Sequence, residues 1–217
     1  MAVEARTRIE GAAGAIEVAS AAPESPRKVA VIAHPHPLYG GTMDNKVITT
    51  LSRAFVEAGA ATVRFNFRGV GGTEGTHDEG RGECDDMLRV IEHARAEFAA
   101  LPLLLAGFSF GGAVAVRASA RVDFAQLVLV APGFRRITGQ GMGAAPDPND
   151  PNLGAPGQHT HANTVVVHGD LDETVPLADS IAWATPREVP VVVVPGGEHF
   201  FHRKLHILRE IASRWVR

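Results

Sequence analysis

One serine stands at the centre of the stretch GFSFG (residues 107–111), with a glycine two positions away on either side. An apolar run ends in this stretch, and the segment 113–120 that follows has the composition of a helix. Where a buried strand turns sharply into a helix, the central residue is strained and larger side chains two positions away would collide with neighbouring elements. The hydroxyl is thereby pushed out above the sheet edge. We predict that Ser109 is a nucleophile; in the alternative interpretation, it only caps the helix and the glycines only permit a turn.

A tetrahedral oxyanion formed beside Ser109 needs hydrogen-bond donors. The N–H of Phe110 lies at the predicted helix N-terminus, where free N–H groups and the helix dipole favour negative charge. A second donor is expected from the loop after the strand-like run KVAVIA (28–33). That loop begins HPHP (34–37), and because its prolines have no N–H we assign the second donor to His36 between them.

A serine hydroxyl attacks only when a base removes its proton, so a histidine and an orienting carboxylate are required. In an open parallel sheet, sites form at the carboxyl ends of the strands. The loop HGDLDETVP follows one such strand and offers Asp170 and Asp172. We favour Asp172, because the carboxylate must reach across the sheet, whereas Asp170 is better placed to hydrogen-bond its own turn.

The base is expected in the loop PGGEHFFH, which follows the next predicted strand. In open parallel sheets with a serine at such a turn, the nucleophile, the acid and the histidine follow one another in this order along the chain. His199 lies on the loop itself. His202 and His206 fall within the predicted final helix, where surface or core packing is the ordinary role. His168 ends a buried strand and is predicted to pack there.

The elements that must position these residues alternate between strand and helix, which predicts an α/β fold with a mainly parallel twisted sheet covered by helices on both faces. A short antiparallel pair of strands is predicted at the N-terminus. Strands are predicted at 2–10, 15–20, 28–33, 61–67, 101–107, 125–132, 164–169 and 189–197, and helices at 43–58 with Thr42 as N-cap, 84–98, 113–120, 176–184 and 202–216. The glycine- and proline-rich segment 133–163 is long for a loop, and we expect either a functional flap or partial disorder.

Length and composition bound the remaining possibilities. The 217 residues, 45% of them hydrophobic, fit a single domain over residues 1–217. The formal charge of −3 argues against nucleic acid or an anionic membrane as partner. Cys84 is the only cysteine, so no intrachain disulfide can form. With no signal-like start and no apolar run of about 18 residues, we expect a cytoplasmic protein.

Two rival chemistries find little support. The ten histidines invite a metal site, and His199, His202 and His206 would share a helix face if the last helix began early. The chain lacks the H-E-x-x-H pattern of catalytic zinc sites, and we predict no metal. The glycine-rich run RGVGGTEG does not fit a dinucleotide fingerprint, and no G-K-[ST] is present.

Four motifs resemble the α/β-hydrolase superfamily, and more narrowly its small lidless serine hydrolases: HPHPLYGGTMDNKV, RFNFRGVG, AGFSFGG and EHFFHRKL, in this order. The similarity runs from about Val29 to Leu208. The resemblance implies an α/β-hydrolase fold without a helical cap, a serine-esterase triad on Ser109, Asp172 and His199, and no cofactor. Many members have His-Gly where this chain has His-Pro at positions 34 and 35, which leaves the oxyanion loop less well defined than the triad.

We therefore predict a serine hydrolase that cleaves carboxylic esters through an acyl-enzyme intermediate. Its partner is expected to be a small-molecule acyl substrate with a short or accessible acyl group, because the segment 133–163 is too polar and broken to form a cap. Thioesters and amides pass through the same intermediate and stay open, as does a non-catalytic scaffold of the same fold. The terminal helix or an exposed sheet edge could pair with a second copy to give a homodimer. Activity is expected to fall on acidification through the histidine range, near pH 6 to 7.

Overall fold

The computed structural model describes residues 4–99, 101–137, 153 and 158–216. Within these residues eight strands form one sheet, accompanied by helices on both faces. The strands are β1 (Glu4–Gly11), β2 (Gly14–Ala21), β3 (Lys28–Ala33), β4 (Ala60–Phe65), β5 (Leu103–Phe108), β6 (Gln126–Val130), β7 (Thr164–Gly169) and β8 (Val191–Val194). The helices are α1 (Lys46–Glu57), α2 (Arg81–Glu97), α3 (Phe110–Ser119), α4 (Leu177–Ala184) and α5 (Leu205–Val216).

The strand order in the sheet is β1-β2-β4-β3-β5-β6-β7-β8. The six strands from β4 to β8 in this order are parallel to one another. Strands β1 and β2 are antiparallel to each other, as predicted for the N-terminal pair. Strand β2 is also antiparallel to β4, which was not predicted. The carboxyl ends of the parallel strands therefore meet at one edge. The predicted fold class is confirmed.

The two faces of the sheet build separate apolar cores. In β3, Val29, Val31 and Ala33 pack on one face with α2, α3 and α4, while Ala30 and Ile32 pack on the other with α1 and α5. Alternate side chains of a strand point to opposite faces, so a strand covered on both sides must be apolar throughout. This is why KVAVIA forms a continuous apolar run.

Several predicted helix boundaries are wrong. Helix α1 begins at Lys46 and is capped by Asn45, whose side chain accepts a hydrogen bond from the N–H of Val47 at 2.8 Å, so Thr42 is not the N-cap. Helix α3 begins directly after Ser109, three residues earlier than predicted. Helix α5 begins only at Leu205, which leaves His202 in the turn before it.

Most of the segment 133–163 lies outside the described residues, so neither expectation for it, flap or disorder, is tested. Its described parts include a 3₁₀ turn at Phe134–Arg136 and Leu153, whose carbonyl accepts a hydrogen bond from the indole of Trp183 at 3.0 Å. The part of the chain described here contains no helical cap. None of the helices described is long and apolar enough to cross a membrane.

Candidate active site

Ser109 occupies a strained turn between β5 and α3. Its backbone has φ +55° and ψ −122°, a conformation that costs a non-glycine residue about 1–3 kcal/mol. Neighbouring backbone holds it there: the Ser109 N–H donates to the carbonyl of Val130, and the Ser109 carbonyl accepts from the N–H groups of Gly112 and Gly133, each at 2.9 Å. The hydroxyl is thus fixed at the carboxyl edge of the sheet.

The two glycines of the turn are there for the steric reason that the sequence indicates. A Cβ on Gly107 would lie 2.2 Å from the carbonyl oxygen of Gly111. A Cβ on Gly111 would lie 2.3 Å from the carbonyl oxygen of His34. Because Gly111 has no side chain, the start of α3 can lie against the end of β3 and the first residue of the loop that follows it.

The structure brings Ser109, His199 and Asp172 together. His199 Nε2 lies 3.1 Å from Ser109 Oγ, and His199 Nδ1 lies 2.7 Å from Asp172 Oδ2. Ser109 is 7% exposed and His199 is 5% exposed, so the three groups interact largely out of water. The His199 ring packs against Phe108, with ring centroids 4.8 Å apart, and against Phe200, at 5.1 Å. This packing limits the directions in which the imidazole can point.

The carboxylate of Asp172 is buried but well supplied with donors. Burial alone would raise its pKa, but hydrogen bonds from His168, His199 and the N–H of Val175 outweigh burial and hold the pKa well below the usual range. Oδ1 accepts from the N–H groups of Thr174 at 2.9 Å and Val175 at 2.8 Å. The group is therefore a fixed anion beside His199.

His168 is a second histidine on Asp172, and sequence reasoning missed this contact. Its Nε2 lies 3.3 Å from Asp172 Oδ2 and 3.0 Å from the carbonyl of Val175, and its Nδ1 lies 2.8 Å from Ser180 Oγ. Both neighbours of Nε2 are acceptors, so Nε2 carries a proton. The prediction that His168 packs in the core describes its complete burial but not its part in orienting the carboxylate.

The competing candidates lie elsewhere. Asp170 accepts a hydrogen bond from the N–H of Gly196 at 2.5 Å, so it braces the turn that leads to His199 rather than its own turn. His202 is exposed and lies 3.2 Å from the carboxylate of Glu198. His206 is exposed on α5. Within the described residues, neither histidine forms a hydrogen bond with Ser109 or Asp172.

The residues that carry the two predicted oxyanion donors contact each other through their side chains. The rings of His36 and Phe110 are 4.7 Å apart between centroids. Among the residues that the structure describes, neither N–H donates to an acceptor of the protein. Burial, with the charges of His77 and Arg136 adding to it, lowers the pKa of the His36 side chain to about 4, and Nδ1 of that ring accepts from the N–H of Leu38 at 3.3 Å. The ring is therefore neutral near pH 7.

A cleft of about 380 Å³ opens over Ser109, which is the size of a small-molecule site. Its walls come from the four loops that follow β3, β6, β7 and β8, and from Ser109 in the turn between β5 and α3. They are formed by Pro35, His36, Tyr39, Gly40, Gly41, Asn45, Ser109, Arg136, Thr174, His199 and Phe200. Sequence reasoning missed Tyr39, Arg136 and Phe200, although Arg136 follows the end of β6 and obeys the same rule that located His199.

Comparison with known proteins identifies relatives of this chain in sequence and in fold. Residues 24–147 match the model of the family described as serine aminopeptidase, S33. The fold is similar to that of XC6422 from Xanthomonas campestris, an α/β serine hydrolase without a lid, at 35% identity over 99% of this chain and 94% of that chain, with a TM-score of 0.83. An α/β serine hydrolase homologue from Coxiella burnetii is 37% identical over 98% of this chain and 97% of that chain, with a TM-score of 0.81. RP471, an uncharacterized protein of Rickettsia prowazekii, is 31% identical over 89% of this chain and 81% of that protein.

Proposed function

The chain belongs to the α/β-hydrolase superfamily of serine hydrolases, and from this premise we propose that it hydrolyses carboxylic esters of small molecules through an acyl-enzyme intermediate. The observation that carries the proposal is the position of His199, whose two ring nitrogens lie within hydrogen-bond distance of Ser109 Oγ and Asp172 Oδ2. A base held between a hydroxyl and a buried anion can take a proton from that hydroxyl. A scaffold with no catalytic role has no need of all three groups.

In the first half of the reaction, the Ser109 hydroxyl gives its proton to His199 Nε2 while Oγ forms a bond to the ester carbonyl carbon. The carbonyl oxygen becomes an oxyanion, which the N–H groups of Phe110 and His36 stabilise by hydrogen bonds. Asp172 stabilises the imidazolium. The carbon–oxygen bond to the leaving group then breaks, and His199 returns the proton to the departing alcohol.

In the second half, a water molecule takes the place of the alcohol. His199 removes a proton from the water as its oxygen attacks the acyl carbon, and the same donors hold the second oxyanion. Collapse of this intermediate breaks the bond to Ser109 Oγ, which recovers the proton from His199. The products are an alcohol and a carboxylic acid.

The size of the cleft supports the proposal that the substrates have short or accessible acyl groups. Its volume of about 380 Å³ is at the lower end of the range for small-molecule sites. Tyr39 and Phe200 on its rim are exposed, at 72% and 42%. An ester is favoured over an amide because an alkoxide leaves more readily than an amide anion, so ester cleavage depends less on protonation of the leaving group.

The Ser109→Ala variant tests the proposal. We expect its turnover of p-nitrophenyl acetate and butyrate to fall by about 10⁴-fold or more. A fluorophosphonate probe is expected to label the wild-type protein at Ser109 and not the variant, and Ser25→Ala, which changes an exposed serine, serves as the control. Matched thioesters and anilides measure the preference for the leaving group. Unchanged turnover in folded Ser109→Ala would overturn the proposal.

A further inference from the structure

We propose that Arg136 makes the cleft selective for esters that carry a carboxylate, a specificity that rests on the proposed esterase function. Arg136 lines the same cleft as Ser109 and His199. Among the side chains of the described residues that form its walls, Arg136 alone bears a permanent charge. A carboxylate on the substrate would meet this charge within the volume that an ester at Ser109 must occupy.

Among the described residues, the guanidinium of Arg136 forms a single hydrogen bond, so most of its N–H groups can donate to a ligand. Its contacts are with Tyr39: Nη1 lies 3.4 Å from the phenol oxygen, and the guanidinium carbon lies 5.1 Å from the ring centroid. Within the described part of the chain, no carboxylate forms an ion pair with it. The neighbouring Arg135 differs, since its Nε and Nη2 each lie 2.5 Å from an oxygen of the Asp179 carboxylate. Two adjacent arginines thus have separate tasks, one in an internal ion pair and one at the cleft.

Two backbone hydrogen bonds connect Arg136 to the turn that holds Ser109. The N–H of Gly133 donates to the carbonyl of Ser109 at 2.9 Å, and the N–H of Arg136 donates to the carbonyl of Gly133 at 3.0 Å. On the other side, the Tyr39 ring beneath the guanidinium packs on the His36 ring, with centroids 4.8 Å apart. The backbone bonds fix the position of the Arg136 backbone relative to Ser109, and the contact with Tyr39 restricts the guanidinium. This restriction reduces the conformational entropy that binding would remove.

One arginine suits a substrate with one negative charge. The planar guanidinium offers two parallel N–H donors that match the two oxygens of a carboxylate. A phosphate monoester carries close to two charges near pH 7, and the second would have no cation to balance it among the described lining residues. The structure therefore favours a carboxylate over a phosphate.

Pairs of esters that differ only in this charge provide the test. The first pair is the p-nitrophenyl monoester of glutarate and the corresponding glutaramate, which place the carboxylate or its carboxamide in the acyl part. The second pair is 4-carboxyphenyl acetate and 4-carbamoylphenyl acetate, which place it in the leaving group. For each pair, the measured quantity is kcat/KM for the carboxylate divided by kcat/KM for the carboxamide. In one of the pairs we expect this ratio to be about tenfold or more higher in the wild type than in the Arg136→Gln variant, as the loss of a hydrogen bond to a charged group implies.

Two further variants separate local recognition from general charge. Arg136→Lys keeps the charge without the planar fork and should retain part of the preference. Arg53→Gln removes a positive charge from an exposed position on α1 and should leave the preference unchanged. An equal effect of Arg136→Gln on both members of both pairs, or no effect at all, would overturn the inference.

Binding measurements keep the subsite separate from the esterase proposal. Calorimetric titration of the Ser109→Ala variant with each ester measures the same preference without turnover. A preference for the carboxylate that Arg136→Gln abolishes in this background supports the subsite, even if the wild-type protein hydrolyses none of the esters. Inorganic phosphate and acetate are then compared as competing ligands, and stronger Arg136-dependent competition by phosphate would contradict the choice of a carboxylate.

Discussion

Two aspartates that are two positions apart in the loop after β7 have different partners. Asp172 accepts from His199, whereas Asp170 accepts from the N–H of Gly196. We predict that Asp172→Asn lowers kcat for p-nitrophenyl acetate by about 10³- to 10⁴-fold, because an amide removes the anion and disfavours the tautomer of His199 that can accept the serine proton. Steady-state kinetics with purified variants measures this effect.

Asp170→Asn is the matched control. It changes the same side chain in the same loop, but it acts on the turn before His199 and not on the imidazole. We expect kcat to stay within about threefold of the wild type, and the Tm to fall because a charged acceptor is lost at Gly196. A larger loss of kcat in Asp170→Asn than in Asp172→Asn would show that the wrong carboxylate has been assigned.

Residue types and chain order were sufficient to predict that Ser109, Asp172 and His199 would meet, because all three follow the carboxyl ends of parallel strands. They were not sufficient for His168 and Arg136. Whether a side chain at a strand end points into the core, toward a neighbouring loop or into a cleft depends on packing against residues distant in the chain. The orientation of the His168 ring toward Asp172 involves a contact with Ser180 on α4, which follows that loop in the chain.

At the scale of elements, the junction of β3, β5 and α3 depends on Gly111. A Cβ at this position would lie 2.3 Å and 2.4 Å from the carbonyl oxygens of His34 and Ala33, which are backbone atoms that cannot move aside independently. We predict that Gly111→Ala lowers the free energy of unfolding by about 1–3 kcal/mol, as overpacking of a core does. Urea unfolding followed by circular dichroism measures the change.

Gly133→Ala is the appropriate comparison for that variant. The nearest atoms to a Cβ on Gly133 are 3.4 Å away, which is an ordinary contact, and its φ is −86°. We expect its stability to stay within about 0.5 kcal/mol of the wild type. Equal destabilisation by the two substitutions would mean that loss of glycine in itself, and not the close approach of α3 to β3, accounts for the effect.

The interior of the elements was easier to predict than their ends. Strands β3 and β7 coincide with the apolar runs KVAVIA and TVVVHG because both faces of the sheet are covered. The start of α3 was placed too late, since Gly111 and Gly112 have low helix propensity and only tertiary contacts make the helix begin at Phe110. Similarly, Thr42 and Asn45 are both good capping residues, and the fold decides between them.

At the scale of the whole molecule, buried neutral histidines link stability to pH. His34 is completely buried; its Nδ1 lies 2.6 Å from the carbonyl of Pro35 and its Nε2 accepts from the N–H of Phe67 at 3.0 Å. Burial lowers the pKa of His34 to about 4. Burial, assisted by the charge of Arg187, also lowers the pKa of His159 to about 4. Both imidazoles are neutral in the folded protein well below the pH at which an unfolded chain would protonate them.

The direction of the pH effect follows from these values. Between about pH 6.5 and pH 4 the unfolded chain binds protons on the two histidines that the folded protein does not bind, so the free energy of unfolding decreases as the pH falls. Carboxylates with lowered pKa values, such as Asp172, act in a lower window, because an unfolded carboxyl group binds protons only near and below about pH 4. The fall in stability from pH 7.5 to pH 5.0 should therefore come mainly from histidine.

We predict that the free energy of unfolding decreases by about 2 kcal/mol for each of these histidines between pH 7.5 and pH 5.0, which corresponds to about 1.5 pH units below the unfolded pKa. The His34→Gln variant should be less stable than the wild type at pH 7.5, because the N–H of Phe67 loses a well-placed acceptor, but its decrease over this interval should be smaller by about 2 kcal/mol. Urea unfolding at the two pH values, with His206→Gln on the surface of α5 as the control, measures both quantities. A decrease in His34→Gln as large as that of the wild type would mean that His34 does not govern the pH dependence.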